Sequence, residues 1–118
     1  NQKCDVYNPN VIRSSLGAIF SQKIISLENK ATLSFLRKNK IRVYATSLNA
    51  KKSIEKIDYN SSCAIVVGSE NLGISKFWIT NSDELIKIPM LGSVDSLNVS
   101  VSTSIVMYEI NRQNNFNR

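Results

Sequence analysis

A short apolar stretch, Leu85 to Ile88, runs into Pro89, and Met90 to Leu97 then lead into a long helical pattern. This strand–loop–helix passage constrains the fold more than any other part of the chain. Proline cannot continue a sheet ladder, so the strand must stop there. Gly92 gives the following loop backbone freedom. Upstream, Cys63-Ala64-Ile65-Val66-Val67 is a continuous apolar run that halts at Gly68. An unbroken run of this kind suits a strand covered on both faces, as in a parallel sheet. Two such strands separated by a helical segment imply an α/β domain with its working loops at the carboxyl ends of the strands.

The remaining pattern fits that class. Ile24 to Leu27 reads as a short strand. Glu28 to Lys38 reads as a helix with Ala31, Phe35 and Leu36 on its inner arc. Ile41, Val43 and Ala45 alternate with Arg42, Tyr44 and Thr46, as in a strand. Residues 47–60 are polar, with a helical turn around Ser53 to Ile57. Ser75 to Thr80 reads as a short helix. Leu97 to Asn111 is the strongest helical segment, with Val101, Ile105 and Tyr108 at core-facing spacing, and Gln113 to Arg118 reads as a frayed tail. Val11 to Phe20 is a helix or turn with no strand before it. The 118 residues therefore read as a single domain lacking its first strand–helix unit.

Composition excludes several chemistries. Histidine is absent, and Cys4 and Cys63 lie far apart. Zinc sites of the usual kinds, Ser-His-Asp and Cys-His catalysis and an imidazole base are ruled out, and no metal site is expected. Cys63, in an apolar run, reads as core packing. Two cysteines make no disulfide framework, so the cytoplasm is the expected compartment. No stretch approaches the roughly 20 apolar residues of a membrane-spanning helix. The net charge of +6 and sequence pI of about 9.5 favour an anionic partner, RNA or a membrane surface. Lys30, Arg37, Lys38, Lys40, Arg42, Lys51, Lys52 and Lys56 concentrate that charge in the first half. No aromatic residues interleave with them as in single-strand binders, so phosphate contact is a secondary role beside plain solvation.

Two loops carry the candidate chemistry. Gly68-Ser69-Glu70-Asn71-Leu72-Gly73 follows a buried strand and has the glycine separation of a Walker A loop, but Ile74-Ser75 stands where Lys-Ser/Thr is required. A triphosphatase reading fails there, and no GxGxxG supports an ordinary dinucleotide site. A plain strand-to-helix turn is the alternative, with Glu70 either capping the next helix or facing a ligand. In the second loop, Ser93, Asp95, Ser96 and Asn98 crowd polar groups at a helix start. Capping by Asp95 or Ser96 explains one of them. Asn98 is expected inside the first helical turn, where asparagine is a mediocre choice, so it is assigned a functional task. Ser100, Ser102 and Ser104 permit close backbone approach, or simply form a solvated face.

Together, Gly68-Ser69-Glu70, Ile88-Pro89-Met90 and Ser96-Leu97-Asn98-Val99-Ser100-Val101 closely resemble the second and third motifs of the SpoU (TrmH-like) branch of the SPOUT RNA methyltransferases. The segment from Asp5 to Phe20 is similar to the stretch that follows that family's first motif. The resemblance implies an α/β domain with a mostly parallel sheet, helices on both faces and a C-terminal trefoil knot. It implies S-adenosyl-L-methionine held bent in the knot by Ala45, Thr46, Gly68, Ser69, Ile88, Met90 and Leu97, mostly through backbone groups. Glu70, Ser96 and Asn98 match catalytic positions: Glu70 and Asn98 to position and polarise loop and substrate, Ser96 to orient the ribose or cofactor end.

The activity implied is methyl transfer to a ribose 2′-hydroxyl of rRNA or tRNA by a homodimer formed through the knot region. The Tyr7-Asn8-Pro9-Asn10 opening leans toward rRNA enzymes, including the thiostrepton-resistance group. The first motif and its activating arginine do not occur, and Arg13 comes too late to replace it, so the chain is expected to be the C-terminal catalytic portion of a longer enzyme. The competing reading is a non-catalytic RNA-binding or dimerisation module that retains the knot. A generic nucleotide-binding α/β domain, lacking both glycine fingerprints, ranks third.

Overall fold

The computed structural model describes residues 5–69, 72–92 and 96–115. Four parallel strands form one sheet: β1 (Arg42–Thr46), β2 (Lys52–Ser53), β3 (Cys63–Val66) and β4 (Glu84–Lys87), in the order β2-β4-β1-β3. The helices are α1 (Pro9–Ser14), α2 (Asn29–Lys38), α3 (Lys76–Asn81) and α4 (Val99–Gln113), with 3-10 turns at Ala18–Phe20 and Ile54–Lys56.

Strand alternation divides the core. On one face Tyr44, Ile54, Ile57, Tyr59, Ile86 and Val106 pack together, with Cys63 and Ile65 of β3 beside them, under α4. On the other, Val43 meets Leu36 of α2 and Trp78 of α3, joined by Ala64 and Val66. Adjacent strand residues point to opposite faces, so Val43 and Tyr44 serve different layers. The fold is therefore α/β with helices on both sides of a parallel sheet. β1 is central and buried at Val43, Tyr44 and Ala45 without a polar face, so it does not show the in-and-out alternation the sequence suggested. β3, expected to be fully covered, is half-buried along its length because it lies at the sheet edge.

Other expectations need correction. Ile24 to Leu27 form no strand, and Ile24, Ile25 and Leu27 are exposed. In α2 the inner arc is Leu33 and Leu36, while Phe35 faces outward. β2, two residues long, was not visible in the polar stretch that contains it. α4 begins at Val99 rather than Leu97, and its buried positions are Val106 and Glu109, whereas Val101 and Tyr108 are exposed. Ile105 packs against the core as expected, and Glu109 is buried with its carboxylate held by Arg112 and Gln113 of the same helix. The proposed tail from Gln113 is helical at its first residue, and 116–118 lie outside the described residues.

Polar links fix the layers. At the amino end of the sheet Asp83 accepts from the Val43 N–H at 2.7 Å and donates its own N–H to the Val43 carbonyl at 2.8 Å, while Arg37 donates to Asp83 at 3.0 Å and to the Asn81 carbonyl at 3.0 Å. At the other end of α4, Glu109 accepts two bonds from Arg112 at 2.8 Å and one from Gln113 at 2.7 Å. Asn114 then donates to the Tyr59 carbonyl at 3.2 Å and Gln113 accepts from the Tyr59 N–H at 3.3 Å. These bonds fasten the last turn of α4 to the loop before β3.

Candidate active site

The loops after β1, β3 and β4 converge at the carboxyl edge of the sheet, where such folds bind ligands. The start of α4 closes their fourth side. They enclose a cleft of about 560 Å³. Of the expected cofactor residues, Thr46, Gly68, Ser69, Ile88, Met90 and Leu97 all line it. Ala45 does not. It is fully buried one residue earlier in β1, paired with Val66 and Leu85, and so lies beneath the cleft rather than in its wall. Ser96 and Asn98, expected to be catalytic, also line the cleft, and both are exposed. Glu70 lies outside the described residues, as do Asn71 and 93–95.

The Gly68 loop folds back on itself. Ser69 and Gly73 exchange backbone bonds at 3.2 and 2.8 Å, and the Ser69 hydroxyl accepts from the Leu72 N–H at 3.2 Å. Gly73 sits at φ +63, a left-handed conformation that glycine adopts without penalty. The turn leaves so little room at Gly68 that any Cβ would overlap the backbone of Gly73 and Ile74. Gly68 thus lets the two limbs of the loop meet backbone to backbone at this wall of the cleft, beside Val67, Ser69 and Ile74.

Asn98 is the N-cap of α4, with φ −52 and ψ 142. Its side-chain oxygen accepts from the Ser100 N–H at 2.9 Å and the Ser100 hydroxyl at 2.5 Å. From the sequence, Asn98 was expected inside the helix, with capping by Asp95 or Ser96. The cap explains why asparagine stands here, and the same geometry holds its amide at the cleft wall. Ser102, one turn on, lines the cleft as well, whereas Ser100 and Ser104 face outward.

Sequence reasoning missed Leu48, Asn49, Ile79 and Lys87, which also line the cleft. The first two follow β1 directly, so the rule of strand carboxyl ends could have found them. Nothing in the local sequence marks Ile79 of α3. Cys63 packs on the α4 side of the sheet, away from the cleft, and burial pushes its thiol up, consistent with an inert packing residue. Among the described residues no group of His, Cys, Asp and Glu could hold a metal ion, and no helix is long and apolar enough to cross a membrane.

The profile of the SpoU rRNA Methylase family matches residues 1–108. The chain belongs to this family. It is 39% identical over 104 residues to a Staphylococcus aureus (strain COL) protein assigned to the TrmH family of tRNA/rRNA methyltransferases, covering 87% of this chain and 42% of that one. It is 37% identical over 106 residues to the 23S rRNA (guanosine-2′-O-)-methyltransferase RlmB of Coxiella burnetii, covering 89% and 42%. The chain thus spans less than half the length of these curated relatives. Among solved structures, the SpoU methyltransferase AviRb of Streptomyces viridochromogenes, in complex with AdoMet, superposes with a TM-score of 0.89 at 27% identity, over 97% of this chain and 47% of that one. The α/β class with a parallel sheet and helices on both faces, expected from the resemblance to this family, is the one observed.

Proposed function

We propose that this chain forms the cofactor-binding part of an S-adenosyl-L-methionine-dependent RNA 2′-O-methyltransferase. The observation that carries the reading is the cleft at the ends of β1, β3 and β4. It gathers the six lining residues Thr46, Gly68, Ser69, Ile88, Met90 and Leu97 beside Ser96 and Asn98. The lining suits the group: Leu48, Val67, Ile74, Ile88 and Leu97 offer apolar surface with Thr46, Ser47, Asn49 and Ser102 as polar groups among them, as an adenosyl moiety requires. The AdoMet complex of the AviRb relative supports the same assignment.

When bound, the cofactor supplies a sulfonium methyl, which passes to the ribose oxygen as the sulfonium becomes a thioether and the hydroxyl proton is released. The protein's task is then alignment and proton removal, and neither requires a metal. Asn98, held by its cap, and Ser96 beside it position the ribose and the cofactor end. Glu70 is assigned to the same task on the facing loop. Ala45 supports the floor from below.

The RNA is rRNA ahead of tRNA in this proposal, supported by the 23S rRNA activity in the name of the Coxiella burnetii relative. A homodimer, a trefoil knot involving α4 and a cytoplasmic setting belong to the same reading. The exposed Val101, Met107 and Tyr108 on α4 support a subunit contact on that helix. The test is transfer of label from methyl-tritiated cofactor to purified rRNA and tRNA, with 2′-O-methyl nucleotides identified after alkaline digestion. Label in rRNA is expected. Cofactor binding without transfer to either RNA would favour the non-catalytic binding module.

A further inference from the structure

Phe35 is 57% exposed on the outer face of α2, and among the described residues it joins neither core cluster and no ring contact. Lys30, Ala31, Ser34, Lys38 and Asn39 are exposed on the same face. Residues four apart line up along a helix, so Lys30, Ser34 and Lys38 form one stripe and Ala31, Phe35 and Asn39 the next. An aromatic ring therefore does lie among the basic residues. The sequence pattern hid it by placing Phe35 on the inner arc.

Two of the neighbouring lysines stand where the fold alone would not put them. Lys30 is in the first turn of α2, where the helix dipole disfavours a cation, and no acidic residue accompanies it in that turn. Lys40, just past the helix, holds φ +55, in the left-handed region that favours glycine. From Asn29 to Ile54 the chain contains no acidic residue. The ion pairs between described residues are Arg37–Asp83, Lys52–Glu84 and Arg112–Glu109, and none involves Lys30, Lys38 or Lys40. Charges placed at a cost to the fold point to a partner outside it.

We infer that the outer face of α2 is a second contact surface for single-stranded RNA, with Phe35 stacking on a base and Lys30, Lys38 and Lys40 meeting phosphates. The inference rests on the methyltransferase reading, which supplies RNA as the partner. No residue of α2 lines the cleft, yet the surface starts beside it. Asn29 accepts from the Trp78 indole at 3.2 Å, and Ile79, the next residue, lines the cleft. Lys30 and Lys38 lie roughly 12 Å apart along the helix axis. A strand running from the cleft edge toward Lys40 thus meets them with different phosphates. A ring among cations takes any base by its face and the backbone by its charge, so the contact tolerates any sequence.

Phe35→Ala, Phe35→Tyr, Lys38→Gln and Lys40→Gly are compared with the unmodified chain. Affinity for a fluorescein-labelled, mixed-sequence, single-stranded oligoribonucleotide is read by anisotropy across a salt series. Thermal melts, sedimentation and calorimetric titration of S-adenosylmethionine accompany it. Phe35→Ala should weaken RNA binding about 5- to 100-fold with an unchanged salt slope. Phe35→Tyr should restore it. Lys38→Gln should lower the slope of log affinity against log salt by about 0.7, the loss of one single-strand phosphate contact. Lys40→Gly should do the same while melting no earlier than the parent, because glycine relaxes the backbone there. All four should bind the cofactor as before. Full RNA affinity in Phe35→Ala, or an unchanged slope in both lysine variants, overturns the inference. A changed oligomeric state in Phe35→Ala overturns it too, by assigning the face to a second copy. Cofactor binding by the unmodified chain without RNA affinity would sink this inference alone, whereas no cofactor binding would defeat the reading beneath it.

Discussion

A Cβ placed on Gly68 would overlap the carbonyl carbon of Gly73 and the amide nitrogen of Ile74. The chain leaving β3 and the returning limb of its loop thus touch backbone to backbone. Gly68→Ala must force them apart, at about 1–3 kcal/mol of overpacking. Gly73 differs: a Cβ there meets open space, and only its φ of +63 is unfavourable, costing about 1–2 kcal/mol. The expected outcome is a clear loss of cofactor affinity in Gly68→Ala and near-normal affinity in Gly73→Ala, with both somewhat less heat-stable. Calorimetry and thermal melts check both.

Asn98 joins two functions that substitution can separate. Asn98→Ala removes the cap of α4 and should destabilise the fold by about 1 kcal/mol. Asn98→Ser keeps a capping oxygen, so its stability and cofactor affinity should stay close to those of the parent. If the amide also positions the ribose, Asn98→Ser will still lose methyl transfer. Denaturant titration beside a transfer assay distinguishes the cases, and full activity in Asn98→Ser would reduce Asn98 to a cap.

The carboxylate of Glu109 is held at about 2, mainly by its hydrogen bonds from Arg112 and Gln113. Its folded value lies below the ordinary 4.5, so the stability it contributes is fully present above that ordinary value and is lost as pH falls toward 2. Glu109→Gln should cost about 1.5–3 kcal/mol near neutrality, as charged hydrogen bonds are lost. The difference between the two proteins should shrink between pH 5 and pH 2. Urea unfolding at several pH values reads this directly, and a constant difference would show that the carboxylate is not what matters.

The hydroxyl of Tyr59 is buried with no hydrogen-bond partner among the described residues, while its ring sits edge-on to Tyr44 at 5.2 Å. Burial pushes the phenol well above its ordinary value, so it stays neutral. Tyr59→Phe removes an unsatisfied group and keeps both the ring contact and the backbone bonds to Gln113 and Asn114. Stability should be unchanged or rise by about 1 kcal/mol. A loss would reveal a partner for that hydroxyl in solution.

The parts of the fold that were legible in the sequence are those where local pattern and environment agree. Glu28–Lys38, the apolar run at Cys63 and the break at Pro89 each announced an element that the structure contains within one residue or so. Burial was less legible, because it depends on strand order. Cys63–Val66 looked central and is an edge, while Tyr44 looked outward-facing and is nearly inaccessible because Ile57, Tyr59 and Val106 cover it. On α4 the inward Ile105 was legible, whereas Val101 and Tyr108 are exposed and the burial of Glu109 depends on its bonds to Arg112 and Gln113. In the site, residues adjoining a glycine or proline motif were found from the motif. Leu48, Ile79 and Lys87 were not, since only the convergence of separate loops brings them together.

The most direct test of the central claim is calorimetric titration of S-adenosylmethionine into the chain, beside Ser102→Trp, whose indole would fill the cleft from α4. Ser102 is a better block than Gly68, where any side chain would disturb the loop backbone itself. Saturable one-to-one binding by the parent, abolished in a folded Ser102→Trp, is the expected result. No binding by the folded parent, or equal binding by Ser102→Trp, would contradict the assignment of this cleft to the cofactor.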